Sequence, residues 1–197
     1  MDLGLTGKRA LVLASSRGLG LGIAEAIAAE GADVLITGRD GARLEAAVAA
    51  INARGAGKAR FVVSDLSDKA TPALLEETSS GVIQPIPNLG LSNALRATLV
   101  GWSKSMANET AGDGVTFNML LPGRIDTDRL KELDAANAKR AGKDVAEVAK
   151  AAQAQIPVGR YGAVEEFAAT AAFLVSARAS YINGSMIRCD GGAIKSV

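Results

Sequence analysis

Ala14-Ser15-Ser16-Arg17-Gly18-Leu19-Gly20 has the make-up of an anion-binding turn. Glycine lets a backbone approach a phosphate closely. Main-chain N–H groups opening a following helix would face the anion with the favourable end of the helix dipole. Glycines also serve ordinary loops, so the turn gains meaning only from its surroundings. Thr37-Gly38-Arg39 places a guanidinium where a dinucleotide-binding unit would carry an acidic residue for the ribose 2′-hydroxyl. Arg39, joined by Arg17, suits a 2′-phosphate, so NADP(H) is expected in preference to NAD(H). Asp40, one residue on, leaves NAD open, and the competing reading of both arginines is a pair of solvated surface charges.

Other chemistries are excluded by what the chain lacks. It contains no histidine, which removes Ser-His-Asp hydrolysis, Cys-His proteolysis and histidine-ligated metal. Its single cysteine, Cys189, cannot form a disulfide framework or a cysteine-rich zinc site within one chain. No metal site is expected. A net charge of +1 gives no basic field to attract nucleic acid or an anionic membrane. No apolar run is long enough to span a bilayer, and Met1 to Lys8 does not read as a secretory signal. The expected location is the cytoplasm, and no nucleic-acid or membrane partner is expected.

The elements that must position these residues follow from hydrophobic patterning. Arg9 to Ala14 reads as a buried strand, and Leu19 to Glu30 as a helix with Ile23, Ala26 and Ile27 inward, stopped by Gly31. Val34 to Thr37 is a second strand. Asp40 caps a helix whose stripe is Leu44, Ala47, Val48 and Ile51. Phe61 to Val63 is a third strand. Near-continuous apolar strands alternating with helices argue for a doubly wound α/β fold: a Rossmann-type parallel sheet with helices on both faces. Further on, Leu91 to Asn108 reads as a helix and Val115 to Leu121 as a strand stopped by Pro122-Gly123. Asp126 to Gln155 reads as helical with a break at Gly142. Ala163 to Ala177 is a last helix and Ser185 to Cys189 a last strand. With no repeat or linker, the expected organisation is a single domain over residues 1–197.

Together these residues resemble the short-chain dehydrogenase/reductases of classical type, similar to the 3-oxoacyl carrier-protein reductases. The family's Thr-Gly-x-x-x-Gly-x-Gly turn corresponds to Leu13-Ala14-Ser15-Ser16-Arg17-Gly18-Leu19-Gly20, with Leu13-Ala14 replacing Thr-Gly. Asp65-Leu66 follows the third strand, where the resemblance implies an adenine contact. Asn118 to Thr127 resembles the Pro-Gly segment, which implies that Pro122, Gly123, Ile125 and Thr127 hold the nicotinamide carboxamide. Gly159-Arg160-Tyr161-Gly162 with Glu165-Glu166, and Ile182-Asn183-Gly184 to Asp190-Gly191-Gly192, also match.

The resemblance then fails where the family does its chemistry. A tyrosine, and a lysine four residues later, belong on the helix Leu91 to Gly101. Aligned back from Val100-Gly101 without a gap, those positions hold Ser92 and Arg96; shifted by one, Leu91 and Leu95. Neither register supplies the pair. A serine alkoxide is far less accessible than a phenolate, and a guanidinium keeps its charge but does not shuttle protons. Ser79 falls where the resemblance implies a carbonyl-polarising serine, with Thr78 and Ser80 as register alternatives. The remaining tyrosines, Tyr161 and Tyr181, lie in the C-terminal part and are not expected to replace the missing acid.

A second departure is a shortage of chain. Leu66 to Thr78 leaves room for one short helix, whereas the family has strand, long helix and strand. A strand-plus-helix unit takes about 30 residues, so roughly 60 are unaccounted for. Either a segment is omitted near Glu77-Thr78, or the chain lacks the centre of its sheet. The first is expected, because bare central strands would expose long apolar edges.

The resulting expectation is an NAD(P)(H)-dependent oxidoreductase acting on a small-molecule carbonyl or alcohol, with Ser79, Ser92 and Arg96 as atypical catalytic residues. A lid spans about residues 126–155, and the resemblance implies a homo-oligomer, tetramer or dimer. The competing expectation is a non-catalytic dinucleotide-binding or structural relative that keeps fold and oligomer. The lid cations Arg129, Lys131, Lys139, Arg140 and Lys143 are balanced by Glu132, Asp134, Asp144 and Glu147, which reads as a solvated helical face. Trp102 is expected in the core or at a subunit contact, and Cys189 is expected to be buried and inert.

Overall fold

The computed structural model describes residues 2–65 and 90–196, excepting the side chains of Leu91, Ser92 and Leu95. Leu66, Ser79, Ser80 and the Glu77-Thr78 junction lie outside the described residues. The chain divides into two compact units, Met1–Glu77 with Phe167–Ile182, and Thr78–Glu166 with Asn183–Val197.

The first unit contains strands β1 (Arg9–Val12), β2 (Asp33–Gly38) and β3 (Ala59–Val63), which pair in parallel in the order β1-β2-β3. Val12 lies opposite Ile36, and Ile36 opposite Phe61. Parallel neighbours require crossovers, here supplied by helices α1 (Gly18–Ala29) and α2 (Gly41–Ala53). Val34, Ile36, Ala24, Ile27, Ala28, Leu44, Ala47 and Ile51 form the core, and Ala172 closes it from far along the chain. Leu11 and Leu35, opposite each other in register, are exposed, as are Phe61, Val62 and Val63.

Both helix limits are set by local chemistry. Asp40 caps α2 by accepting the Arg43 backbone N–H at 3.1 Å, as expected of an N-cap carboxylate. Gly31, at φ +86°, lies just past the end of α1. The expected inner face of α1 is right at Ile27, while Ile23 and Ala26 are only half-buried and Ala24 and Ala28 carry the contact.

The second unit contains α3 (Gly90–Thr110), β4 (Met119–Pro122), α4 (Asp128–Ala141), α5 (Val145–Gln153) and β5 (Met186–Cys189), with β4 and β5 in parallel. Gly142, at φ +64°, ends α4 in the left-handed conformation, so the break expected there is observed. Helix α6 (Val164–Leu174) begins in this unit and contributes Phe167–Leu174 to the other.

Three expectations need correction. The strand expected from Val115 is only Met119–Pro122, because loop pairing takes over before it: Phe117 N–H donates to Asn183 Oδ1 at 2.9 Å, and Gly184 N–H to Phe117 O at 2.8 Å. Trp102 is 42% exposed, which corrects the core reading and leaves the subunit-contact reading standing; its ring meets Phe117 edge-on, at 5.7 Å between centroids. Cys189 is half-buried, on the less exposed side of β5 together with Ile187.

Candidate functional site

In the first unit the turn after β1 is built by hydrogen bonds to β2. Ser15 is fully buried, its hydroxyl donating to Val12 O at 2.6 Å and accepting from Thr37 N–H at 3.1 Å. The Ser15 N–H donates to Thr37 O at 2.7 Å, and the Ala14 N–H reaches Thr37 Oγ1 at 3.3 Å. The Ser15 side chain thus supports the turn, and its hydroxyl is turned to the scaffold. Ala14 itself has φ +50°, the left-handed region. An L-residue there costs roughly 1–2 kcal/mol, which the Thr37 contacts must offset.

The consequence is an open helix N-terminus. Arg17, the N-cap of α1, is extended and makes no side-chain capping bond, and no acidic residue occupies the first turn. Backbone N–H groups of the Gly18-Leu19-Gly20 turn therefore meet no competing side-chain cap, the condition for an anion site. Gly20 permits the close approach: a Cβ there would lie 2.8 Å from Ala14 O. Arg17 and Arg39 are exposed, whereas Asp40 is engaged as cap and ion-pair partner of Arg43, Oδ2 to Nε 3.0 Å. Asp65, at the end of the strand-three segment, is exposed.

In the second unit, Pro122 ends β4 and Gly123 N–H donates to Cys189 O at 2.9 Å. A Cβ on Gly123 would stand 2.6 Å from Asp190 Cα, so only glycine fits. Arg124 to Asp126 then pairs with Gly162: Gly162 N–H to Arg124 O at 3.0 Å and Asp126 N–H to Gly162 O at 2.8 Å. Ile125 is buried, and a Cβ on Gly162 would lie 2.7 Å from its Cδ1. Thr127 caps α4, its hydroxyl accepting from Leu130 N–H at 3.3 Å. Ser92 and Arg96 lie on α3 four residues apart, and Arg96 is half-buried.

The same segment carries a cluster that the sequence reading assigned to a solvated face. Asp134 of α4 is 3% exposed. Its Oδ2 accepts from the Tyr161 hydroxyl at 2.7 Å, and its Oδ1 lies 3.5 Å from Arg124 Nη1. Burial, then the hydrogen bond and charge of Asp134, push the Tyr161 phenol above its ordinary value, and Arg124 partly counters them. The signal was available: Leu130, Asp134 and Ala138 recur at helical spacing, and Leu130 and Ala138 face inward. Nearby, Arg160 grips Glu166 with two bonds of 2.8 and 2.7 Å, and Ala163 N–H donates to the same carboxylate at 2.7 Å. The Arg160 bond, then that N–H, lower the Glu166 pKa to about 2. Asp126, Gln153, Arg160, Tyr161 and Glu165 line an open cleft of about 450 Å³ in this unit.

Among the described residues, no three His, Cys, Asp or Glu residues cluster as metal ligands. No helix among them is long and apolar enough to cross a membrane.

Comparison with known proteins places this geometry in context. Residues 69–193 match the family described as enoyl-(acyl carrier protein) reductase, and residues 8–86 match the short chain dehydrogenase family. The 3-oxoacyl-(acyl-carrier-protein) reductase FabG of Salmonella typhimurium is 39% identical over 117 residues, 58% of this chain and 43% of that protein. The chain thus matches less than half the length of that relative. FabG of Aquifex aeolicus is 28% identical over 257 aligned positions, covering 98% of this chain and 99% of its own. Those 257 positions exceed the chain's 197 residues by 60, so the relative carries at least that many residues without a counterpart here. Among solved structures, a 3-oxoacyl (acyl-carrier-protein) reductase from Agrobacterium tumefaciens with NADP bound superposes with a TM-score of 0.82 at 26% identity. It covers 96% of this chain and 95% of its own.

Proposed function

The chain belongs to the short-chain dehydrogenase/reductase family, and on that premise we propose that it is an NADP(H)-dependent oxidoreductase acting on a carbonyl or alcohol. The observation that carries the reading is the uncapped start of α1 behind Gly18-Leu19-Gly20, with Arg39 exposed at the end of β2 and Asp40 diverted to Arg43. Ala14 to Gly20 would hold the pyrophosphate, Arg39 and Arg17 the 2′-phosphate, and Asp65 with Leu66 the adenine. Pro122, Gly123, Ile125 and Thr127 would hold the nicotinamide. When bound, the nicotinamide supplies hydride transfer at its C4. That the Agrobacterium tumefaciens relative has NADP bound supports the choice of cofactor.

On this reading Ser79 polarises the carbonyl. Water, Ser92 or a residue of the omitted segment supplies the proton, and Arg96 binds ribose or phosphate without moving a proton. The segment from about 126 to 155 closes over the substrate. One domain over residues 1–197, interrupted near Glu77-Thr78 by an omitted segment, belongs to the same proposal; the 60 extra positions of the Aquifex aeolicus relative support it. A homo-oligomer is proposed by resemblance alone, and the cytoplasm is proposed as the default location.

The test is a fluorescence titration with NADPH and NADH, followed by NADPH oxidation against a panel of small ketones and 3-oxoacyl thioesters. Turnover that falls in a Ser92→Ala, Arg96→Ala double variant would support the assignment. Turnover at the parent rate would remove that pair from the mechanism. The second reading, a dinucleotide-binding relative without turnover, is favoured by Ser92 and Arg96 standing where the resemblance puts the tyrosine and the lysine. Tight NADPH binding with no oxidation across the panel would establish it in place of the first.

A further inference from the structure

The desolvation of a carboxylate costs several kcal/mol unless charge and hydrogen bonds compensate it. Asp134 meets this cost with two partners from different stretches of chain: Arg124, ten residues before it, and Tyr161, 27 residues after. The two are brought side by side by the pairing of Arg124 to Asp126 with Gly162. The Tyr161 hydroxyl also lies 3.4 Å from Ala149 O of α5. One buried carboxylate on α4 therefore touches the segment after Gly123 and the loop before α6, and Tyr161 carries the contact on to α5.

We propose that Asp134 is a positioning residue that fastens α4 and α5 to the Pro122–Thr127 segment, so that lid and segment move as one body. The inference rests on the proposed function in one respect: it takes that segment as the nicotinamide-holding one. The fastening itself depends only on the three side chains. Arg124 is the coupling member, because its backbone belongs to the segment and its guanidinium neutralises the charge on α4. Removing it leaves a buried charge with one hydrogen bond, and α4 is then driven to expose Asp134 to water.

Two measurements test this in the full-length chain. The first uses Tyr181→Phe as background, leaving Tyr161 as the only phenol of the two in the sequence. Phenolate absorbance then reads Tyr161 alone. Asp134→Asn should lower its midpoint and Arg124→Gln should raise it, opposite signs that a general loosening would not give. The second is tryptic cutting after Lys139, Arg140 and Lys143, without cofactor. Asp134→Asn and Arg124→Gln should each speed it about tenfold, as expected when local opening becomes easier. Tyr161→Phe, which removes only a hydroxyl, should give a smaller increase and keeps the test valid should either charge variant fail to fold. An unmoved Tyr161 midpoint in Asp134→Asn, or cutting at the parent rate in all three variants, overturns the proposal. NADPH is added last: protection of the parent but not of Arg124→Gln supports coupling to the segment. Equal protection of both overturns the coupling. Absence of any NADPH binding would sink the proposed function while the cofactor-free cutting rates still decide the fastening.

Discussion

The Asp40 carboxylate is committed to Arg43: Oδ1 accepts the Arg43 backbone N–H at 3.1 Å, and Oδ2 lies 3.0 Å from Nε. The acidic group nearest the expected ribose is thereby held to the first turn of α2, while Arg39 beside it remains exposed. On the proposed reading, this arrangement favours a phosphate over a hydroxyl on the adenosine ribose. Arg39→Ala should weaken NADPH about tenfold and leave NADH nearly unchanged, since a charge-assisted bond to phosphate is lost. Calorimetric titration with both cofactors checks it. Equal weakening of the two would refute the 2′-phosphate assignment.

Ala14 and Gly20 make a paired prediction on the turn. Ala14→Gly relieves a left-handed alanine at φ +50°. Against a strain of roughly 1–2 kcal/mol, glycine's extra unfolded freedom returns about 0.5–1, so the net gain should lie between about 0 and 1.5 kcal/mol. Gly20→Ala instead forces a methyl to 2.8 Å from Ala14 O and 3.0 Å from Ser15 Cα. It should cost about 1–3 kcal/mol, in the manner of an overpacked site, and weaken dinucleotide binding. Urea unfolding of the two variants reads both signs.

Glu166 sets an acid-limb prediction. Its folded pKa, about 2, lies below the ordinary carboxylate value of 4.5. Stability from this group is therefore fully present above 4.5 and is lost as pH falls toward 2. In Glu166→Gln the decline in melting temperature over that interval should be shallower than in the parent. Because both side chains of the Arg160 pair are about half exposed, 1 M salt should narrow the difference. An identical acid limb in both proteins would count against the ion pair.

The missing stretch of family sequence gives a mass prediction. Protein isolated from its natural source should weigh several kilodaltons more than the 197 residues account for, with the surplus between Asp65 and Gly90. A mass equal to that of the 197 residues would mean that the segment is truly absent, and the oxidoreductase reading would reduce to a remnant fold.

How far the sequence alone could reach depended on whether a feature was local. The α2 cap at Asp40, the glycine-rich turn and the break at Gly142 are written in adjacent residues, and each is where the pattern puts it. The length of β4 was not legible. Val115 to Asn118 have the apolar content of a strand, but the Asn183 side chain and the Gly184 backbone take the Phe117 hydrogen bonds. Asp134 was misread for a related reason. Counting charges along the lid gives a balanced surface, whereas the i, i+4 spacing with Leu130 and Ala138 turns one of those charges inward. The partners that make this tolerable, Arg124 and Tyr161, are remote in sequence. Ser79 and Leu66 lie outside the described residues, and the structure adds nothing to their reading.

Ala172 has a consequence for the order in which the protein can be made. It belongs to the core built on β1, β2 and β3, yet it is translated more than a hundred residues after β3 ends. At about 5–20 residues per second, that interval lasts on the order of ten seconds. Throughout it the N-terminal sheet waits on the ribosome with its last wall missing and Leu11, Leu35 and Val62 already facing outward. A nascent chain in that state is a natural client for a holding chaperone, and slow codons between the third strand and Phe167 would lengthen its exposure.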